Sequence, residues 1–241
     1  MNQPRLDEGK SQPPLVLASA SPRRKELLAL LGLEFSVIPA EIDETPLPKE
    51  LALDLVRRLS LAKAAAVSAK LDRGLVLGAD SLVVLDGQVF GKPSGPDEAR
   101  RMLKRLSGTR HEVVTGVTVI DASSGRRLTC AMASGITLRD ITDADIEKSI
   151  DSGVPFDKAG AYAVQDRELN PAASWEGCYT NIVGLPLCRL VRMLDSLGYR
   201  FSMNQYIGVT AGCTGECPFN SGVAPEVAPE VWQEGARRVG P

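Results

Sequence analysis

Short apolar runs that alternate with amphipathic helical segments constrain the fold of this chain most strongly. Residues 15–18 and 75–80 are mainly apolar runs typical of buried strands, and residues 51–70 carry apolar side chains at helical spacing. Residues 112–121 and 126–138 are predicted to form two further strands joined by a Ser-Ser-Gly turn. Residues 34–38 alternate and predict a strand, residues 23–31 and 183–197 predict helices, and Thr142 to Asp145 opens another helix in a capping-box-like way. Strands and helices in this order predict an α/β fold, a mixed twisted β-sheet flanked by helices.

The two ends of the chain differ in composition from this central region. Residues 1–14 are polar and rich in proline, and residues 201–241 are rich in Gly, Pro and Ser, with a repeated Ala-Pro-Glu-Val and no periodicity. Such composition is typical of segments that do not bury a core. We therefore expect a disordered leader over residues 1–14, one folded domain over residues 15–200, and a flexible tail over residues 201–241.

Composition also argues against several classes of protein. The 28 basic and 30 acidic residues give a net charge of -2, which provides no general attraction to nucleic acids. No apolar run approaches the roughly 20 residues that a membrane span needs. Five scattered cysteines argue against a disulfide scaffold and favour the reducing cytoplasm. Cys213 and Cys217 lack the further ligands that a structural zinc site requires.

The sequence Ser-Ala-Ser-Pro-Arg-Arg at residues 19–24 joins the first predicted strand to a helix. Ser21 followed by Pro22 is a strong helix start, because the hydroxyl caps the helix and proline suits its first position. A helix N-terminus attracts phosphate, and Arg23 and Arg24 add guanidinium donors. This segment alone is equally compatible with a phosphate site and with a capped surface helix whose arginines are solvated.

Carboxylates and lysines elsewhere suit the same phosphate chemistry. Asp80 ends a predicted buried strand, where ligands collect in open α/β sheets, and it suits either Mg²⁺ coordination or the orientation of a water molecule. Glu44 belongs to an acidic cluster that fits a metal site or a solvated loop. Lys63, Lys92 and Lys158 lie beside small residues and can reach phosphate oxygens, although a lone lysine is usually solvated. For Asp80 the simpler alternative is a turn or helix-capping aspartate.

The motifs that the sequence lacks narrow the chemistry further. His111 is the only histidine, so a histidine metal cage or a Ser-His-Asp triad has little support. Neither a P-loop nor a Gly-x-Gly-x-x-Gly motif occurs, so kinase and dinucleotide-binding functions are unsupported. The remaining carboxylates and cations, without a dedicated nucleophile, fit metal-assisted attack of water on a phosphate chain.

Taken together and in this order, these segments resemble the Maf family. The matching segments are residues 19–24, 41–44, 61–63, 78–81, 92–93, 115–117, 157–162 and 183–186. The resemblance covers residues 15–198 and implies a Maf/ITPase-like sheet with a substrate cleft between two lobes. It also implies hydrolysis of a nucleoside triphosphate between the α and β phosphates, which yields the monophosphate and pyrophosphate.

The resemblance implies roles for individual residues. Asp80 would accept a proton from the attacking water, and Glu44 together with Asp80 would hold a divalent cation, which could be Mg²⁺, Mn²⁺ or Co²⁺. The side chains that would hold the phosphates and stabilise developing charge are Ser19, Arg24, Lys63, Lys92 and Lys158.

Base preference in the family follows three positions, which here are Arg23, Ser81 and Gln165. Arginine at the first and glutamine at the third are similar to the branch that acts on dTTP and UTP, so we expect these nucleotides or modified pyrimidine nucleotides as substrates. Ser81 stands where threonine is usual, and residues 166–175 replace a Gly-rich stretch. Both departures concern the choice of base more than the reaction.

Two other functions compete with an enzyme. One is a non-catalytic nucleotide-binding regulator of cell division, and the other is an interaction module that works through residues 201–241. The complete set of acidic and basic residues argues against the regulator, because binding alone does not require Asp80. The interaction module stays open, and deletion of residues 201–241 would test it. The resemblance also suggests a homodimer, although no self-complementary face is evident in the sequence.

Overall fold

The computed structural model describes residues 12–201, which form seven strands and six helices among the described residues. The strands are β1 (Leu15–Leu17), β2 (Ser36–Val37), β3 (Leu75–Leu85), β4 (Gln88–Phe90), β5 (Arg110–Asp121), β6 (Arg127–Leu138) and β7 (Ala172–Glu176). The helices are α1 (Pro22–Ala29), α2 (Ala52–Ser68), α3 (Pro96–Leu106), α4 (Asp143–Asp151), α5 (Tyr179–Val183) and α6 (Leu187–Ser196). Two short 3-10 helices follow α4, at Val154–Asp157 and Ala159–Ala161.

All seven strands belong to one mixed sheet. Its order is β2-β1-β3-β5-β6-β7, with β4 paired to β3 beside this path. The pairings of β1 with β2 and β3 are parallel, and the remaining pairings are antiparallel. The predicted α/β class with a mixed sheet and flanking helices is therefore confirmed.

Helix α2 lies directly against β3 and β5, because both strands have glycine where the helix crosses them. A Cβ atom on Gly78 would lie 2.2 Å from the carbonyl oxygen of Ser60, and one on Gly116 would lie 2.2 Å from that of Val56. Both distances are far below van der Waals contact, so any larger residue would push the helix off the sheet. This close approach brings the C-terminal half of α2, including Lys63, onto the middle of β3.

Helix α1 begins as the sequence predicts. The Ser21 hydroxyl accepts a hydrogen bond from the Arg24 amide, and Pro22 occupies the first helical turn. The helix ends at Ala29, two residues earlier than predicted, and Gly32 takes the left-handed conformation (φ 65°) in the turn that follows.

Three predicted elements need correction. The strand expected to end at Asp80 continues to Leu85, because β3 pairs with β5 without interruption from Leu75 to Val84. The strand expected over residues 34–38 is only Ser36–Val37.

The helix predicted over residues 183–197 is α6, which begins only at Leu187, and Val183 ends a separate helix, α5, that was not predicted. Gly184 takes φ 121°, and Pro186 has no amide hydrogen to donate, so the helical hydrogen bonds stop between Val183 and Leu187. Strand β7 was not predicted at all, since its residues Ala172–Glu176 are mostly exposed and lack an apolar alternation.

The described ends of the domain are joined to each other. The Gln12 side chain donates to the carbonyl oxygen of Arg200 at 2.8 Å and accepts from the Arg200 amide at 3.1 Å. Residues 1–11 and 202–241 lie outside the described residues, so the expected disordered leader and flexible tail stay predictions. Cys213 and Cys217 also lie outside the described residues. No helix between residues 12 and 201 is long and apolar enough to cross a membrane.

His111 is buried in the core on one side of the sheet. Its imidazole is 2% exposed, its Nε2 lies 2.7 Å from the hydroxyl of Tyr162, and the two rings meet edge to face. Burial lowers the pKa of His111 from 6.5 to about 4. The sole histidine therefore stays neutral in the folded protein at pH values where it would be charged in the unfolded chain.

We predict that His111 weakens the fold in mild acid. The unfolded chain takes up a proton at His111 below about pH 6.5, whereas the folded chain does so only near pH 4, so the free energy of unfolding falls as the pH drops between these values. A shift of this size corresponds to about 3 kcal/mol. His111→Gln keeps a polar partner for Tyr162 but does not titrate. In urea unfolding at pH 7 and pH 4, the wild type is expected to lose about 3 kcal/mol more than this variant, and equal losses would contradict the prediction.

Candidate active site

A cleft of about 730 Å³ opens above the middle of the sheet. Its walls come from the loop after β1, the segment before α2, the centre of β3 and the segment after the 3-10 helices. Side chains of two hydrophobic clusters meet in it, since Val83 belongs to one and Val183 to the other. Eight residues predicted from the sequence line this cleft: Ser19, Arg23, Arg24, Glu44, Lys63, Asp80, Ser81 and Lys92.

A buried ammonium group holds two carboxylates together at one side of the cleft. The Lys63 Nζ atom lies 2.7 Å from Asp80 Oδ1 and 2.7 Å from Glu44 Oε1. Lys63 and Asp80 are almost completely buried, whereas about half of the Glu44 side chain is exposed. Asp80 lies in the middle of β3, whereas the sequence predicted it at the end of a strand. Its side chain faces Lys63 of α2 and in this way reaches the cleft.

The position of Glu44 changes its acidity. Burial raises the pKa of Glu44, while the hydrogen bond and the charge of Lys63 lower it, with smaller contributions from the charges of Lys92 and Arg24. The net effect is a pKa below the usual value of a glutamate. Glu44 is therefore kept ionised, as a cation ligand has to be.

Arg24 is a partly buried cation whose hydrogen-bond partners are neutral oxygen atoms. Its Nε donates to the carbonyl oxygen of Gly184 at 3.0 Å, and its terminal nitrogens donate to Ser19 Oγ at 3.2 Å and Ser81 Oγ at 3.1 Å. Burial lowers the pKa of Arg24, and the charge of Asp80 opposes this effect. Three fixed donors to neutral partners leave a positive charge in the cleft wall that an anion can neutralise.

A chain of hydroxyl groups determines what Ser81 can offer to a ligand. Thr115 donates its only hydroxyl proton to the carbonyl oxygen of Asn181 at 3.1 Å, so in its 2.9 Å contact with Ser81 the serine is the donor. The carbonyl oxygen of Gly184, 3.5 Å from Ser81 Oγ, is a second acceptor within the protein for the same proton. Ser81 also accepts from Arg24. Its proton is thereby committed, and the Ser81 hydroxyl retains only a lone pair for a further partner.

Sequence reasoning missed the residues that support Arg24 and Ser81. Thr115, Asn181 and Gly184 act through a hydroxyl or a backbone carbonyl, and neither group is recognisable in a sequence before the contacts are known. The only indication in the sequence that Thr115 and Gly184 matter for the site is that both belong to segments that carry the family resemblance.

Comparison with known proteins shows the family to which the chain belongs. A family model described as "Maf-like protein" matches residues 14–197. The chain belongs to the Maf family. Among its relatives, a protein of Moorella thermoacetica named dTTP/UTP pyrophosphatase is 48% identical over 184 residues, which cover 76% of this chain and 95% of the relative. Proteins with the same name from Syntrophus aciditrophicus and Geobacter sp. (strain M21) are 46% and 45% identical, over 80% and 76% of this chain and 94% and 95% of theirs.

Two residues that the Maf resemblance assigns to substrate do not line the cleft. Lys158 is turned away, since its ammonium group donates to the carbonyl oxygen of Val154 at 2.8 Å and forms an ion pair with Asp157. Gln165 is exposed next to Val164, which does line the cleft. Both lie near the cleft without forming its wall.

The charges on the wall favour an anionic ligand only slightly. Arg23, Arg24, Lys63 and Lys92 oppose Glu44, Asp80 and Asp157, which leaves one net positive charge. The wall therefore binds a triphosphate well only together with a further cation. Lys158, which the resemblance places at the phosphates, adds no charge to the wall because it does not line it.

The donor set also indicates how a cation would be held. No group of three or more His, Cys, Asp or Glu side chains suited to a metal occurs within residues 12–201. Glu44 and Asp80 supply two carboxylates at one point, and Mg²⁺ is commonly bound by one or two carboxylates together with water and substrate phosphates. The Maf cleft therefore fits a cation shared with a phosphate ligand and not one enclosed by protein.

We predict that Lys63 controls the acidity of Glu44 more strongly than Lys92 does. Removal of a neighbouring cation favours the protonated carboxyl, so Lys63→Met and Lys92→Met are both expected to raise the pKa of Glu44. Lys63→Met is expected to raise it more, because Lys63 acts through a contact as well as through its charge. Carbon-13 NMR titration of the Glu44 carboxyl measures both shifts, and a larger shift in Lys92→Met would show that the contact is unimportant.

Proposed function

We propose that this protein hydrolyses nucleoside triphosphates, with dTTP and UTP preferred, to the nucleoside monophosphate and pyrophosphate. The observation that supports the proposal best is the pairing of Asp80 and Glu44 through Lys63, in the same cleft as partly buried Arg24. Relatives that are 45–48% identical to this chain over the aligned residues are named dTTP/UTP pyrophosphatases. The protein would thus be an enzyme, a hydrolase that acts on acid anhydrides.

The first loop and α1 would bind the triphosphate. The start of α1 presents backbone amide groups and the positive end of the helix dipole, and Ser19, Arg23 and Arg24 line the cleft beside it. Because Arg24 is already held by three neutral oxygen atoms, it requires little rearrangement to meet a phosphate. Such preorganised charge is the main source of catalysis in phosphate chemistry.

Glu44 and Asp80 would hold the divalent cation, which could be Mg²⁺, Mn²⁺ or Co²⁺. When bound, the cation supplies positive charge that neutralises phosphate oxygens and polarises the reacting phosphorus. Lys63 holds the two carboxylates at one point and, with Lys92, adds positive charge on the same side of the cleft.

Asp80 is proposed as the proton acceptor for the attacking water. The water oxygen forms a bond to the α-phosphorus while the bond from that phosphorus to the oxygen bridging to the β-phosphorus breaks. The water proton passes to the Asp80 carboxylate, and pyrophosphate leaves with the bonding electron pair. Lys92 and Arg24 stabilise the charge that develops on the phosphate oxygens.

The hydroxyl chain that ends at Ser81 suggests how the base is chosen. With its proton committed to Thr115, Ser81 can only accept a hydrogen bond. Thymine and uracil carry an N–H donor at ring position 3, where cytosine carries a lone pair. Ser81 would therefore favour the first two bases, and Arg23 and Gln165 would complete the selection from the cleft wall and its margin.

Three further expectations belong to this proposal. The protein would work in the reducing cytoplasm, where the buried thiols of Cys130, Cys178 and Cys188 stay free. It would have no nucleic-acid or membrane partner, and it would form a homodimer.

Product analysis on a panel of nucleotides tests the function directly. With Mg²⁺ or Mn²⁺, dTTP, UTP and 5-methyl-UTP are expected to give monophosphate and pyrophosphate faster than CTP, GTP or 7-methyl-GTP. Hydrolysis of only the purines would keep the reaction and reject the proposed selection by Ser81. Folded protein that binds nucleotides but hydrolyses none of them would instead favour the regulator of cell division.

Asp80→Asn tests the proposed proton acceptor. The amide has the same shape but takes up no proton, so turnover of the best substrate is expected to fall at least about a hundredfold. Asp86→Asn is a matched control, because Asp86 is an exposed carboxylate in the turn after the same strand and pairs only distantly, at 3.5 Å, with Arg105. Asp86→Asn should retain normal turnover, and normal turnover in Asp80→Asn as well would reject Asp80 as the acceptor.

A further inference from the structure

Glu44 lies in a segment with little regular structure of its own. Residues 38–51, between β2 and α2, form no helix or strand and contain one turn. Only the start of this segment is anchored by packing, since Ile38 and Ala40 contact the cluster around Val16 and Val76. The side chain of Glu44 is itself about half exposed. Contacts farther along the segment must therefore decide whether Glu44 faces Asp80.

Arg58 makes those contacts. Its guanidinium group binds the Glu50 carboxylate in a bidentate manner, with Nε to Oε1 at 2.7 Å and a terminal nitrogen to Oε2 at 2.7 Å. The same terminal nitrogen donates to the carbonyl oxygen of Thr45 at 3.1 Å. Thr45 follows Glu44 directly in the chain, so Arg58 holds the backbone next to the proposed cation ligand.

Glu50 extends the same connection to the turn before α2. Its Oε2 atom accepts a hydrogen bond from the Leu47 amide at 2.9 Å in addition to that from Arg58. The Glu50 side chain is only 8% exposed, which shields this group from competition by water. The hydrogen bond from Arg58 lowers the pKa of Glu50 to about 2, so Glu50 stays ionised even at mildly acidic pH.

Arg58 and Lys63 lie on the same helix, and both contact the Glu44 segment. Lys63 holds the Glu44 carboxylate through its ammonium group, and Arg58 holds the following peptide group. Helix α2 packs closely against β3, because Gly78 has no side chain to keep the two apart. The helix therefore forms a rigid support between the segment and Asp80. A bound cation would weaken the attraction of Glu44 to Lys63, whereas the contacts of Arg58 involve no cation ligand.

We propose that Arg58, together with Glu50, is a positioning residue that holds the Glu44 segment against α2 so that Glu44 and Asp80 face one cation. The proposal rests on the proposed function only in its use of Glu44 and Asp80 as cation ligands. Arg58 contacts neither the cleft wall nor the cation itself, and it acts through the backbone of Thr45 and the side chain of Glu50.

Arg58→Met is the test, with Arg57→Met as its matched control. Arg57 precedes Arg58 on α2, is exposed, and pairs with Asp54 one turn earlier at 3.2 Å. The first measurement is hydrogen exchange of the Leu47 amide, which donates to Glu50. This exchange should become about tenfold faster in Arg58→Met, because Glu50 loses the two charge-assisted bonds from Arg58 that fix its position as the acceptor. The second is Mn²⁺ binding without nucleotide, followed by electron paramagnetic resonance, which should weaken about tenfold, as is usual when a residue that orients a metal ligand is removed.

Circular dichroism establishes that both variants are folded, and Arg57→Met should match the wild type in both measurements. Unchanged exchange at Leu47 in Arg58→Met would overturn the proposal, because the segment would then be held without Arg58. Faster exchange with unchanged Mn²⁺ binding would also overturn it, because the segment would then not position a ligand. Neither measurement involves nucleotide hydrolysis, so a failure of the proposed function would appear separately, as wild-type protein that binds Mn²⁺ but leaves every nucleotide intact.

Discussion

The buried ion pair between Lys63 and Asp80 is the interaction on which the arrangement of the cleft depends. Two charges removed from water are tolerated only if they are matched closely, and the 2.7 Å contact provides this match. It requires α2 to lie almost on the sheet, which the glycines at positions 78 and 116 allow. Close packing of helix on sheet therefore lies directly beneath the proposed reacting groups, where a small displacement would alter their separation.

The fold could be predicted where local rules act within a few residues. The helix start at Ser21-Pro22 and the capping box of α4, in which Thr142 and Asp145 exchange hydrogen bonds, are set by short-range contacts that the sequence displays. Strand β7 could not be predicted, because its exposed residues become a strand only through pairing with β6. Gly184 and Pro186 signal the break between α5 and α6, but the apolar pattern from Val183 onward suggested a helix that continues through it.

For the site, the sequence indicated which residues gather but not how they are paired. The carboxylates and cations converge because four segments reach the centre of the sheet, and their order along the chain already suggested this. The direction of each side chain was not accessible, as Lys158 shows by turning to Val154 and Asp157. The roles of Thr115 and Arg58 were equally hidden, since their side chains donate to backbone carbonyl oxygens, a group that every residue possesses.

The hydrogen bonds between Gln12 and Arg200 place the entry and exit of the folded domain side by side. A linker of a few residues could join these points, and the chain could then be opened at the exposed turn around Gly125, between β5 and β6. Such a circular permutant would retain every strand pairing of the sheet. It would also shorten the chain between the first loop and the α5–α6 break, which Arg24 connects across 160 residues in the natural order, to little more than α6, the linker and β1.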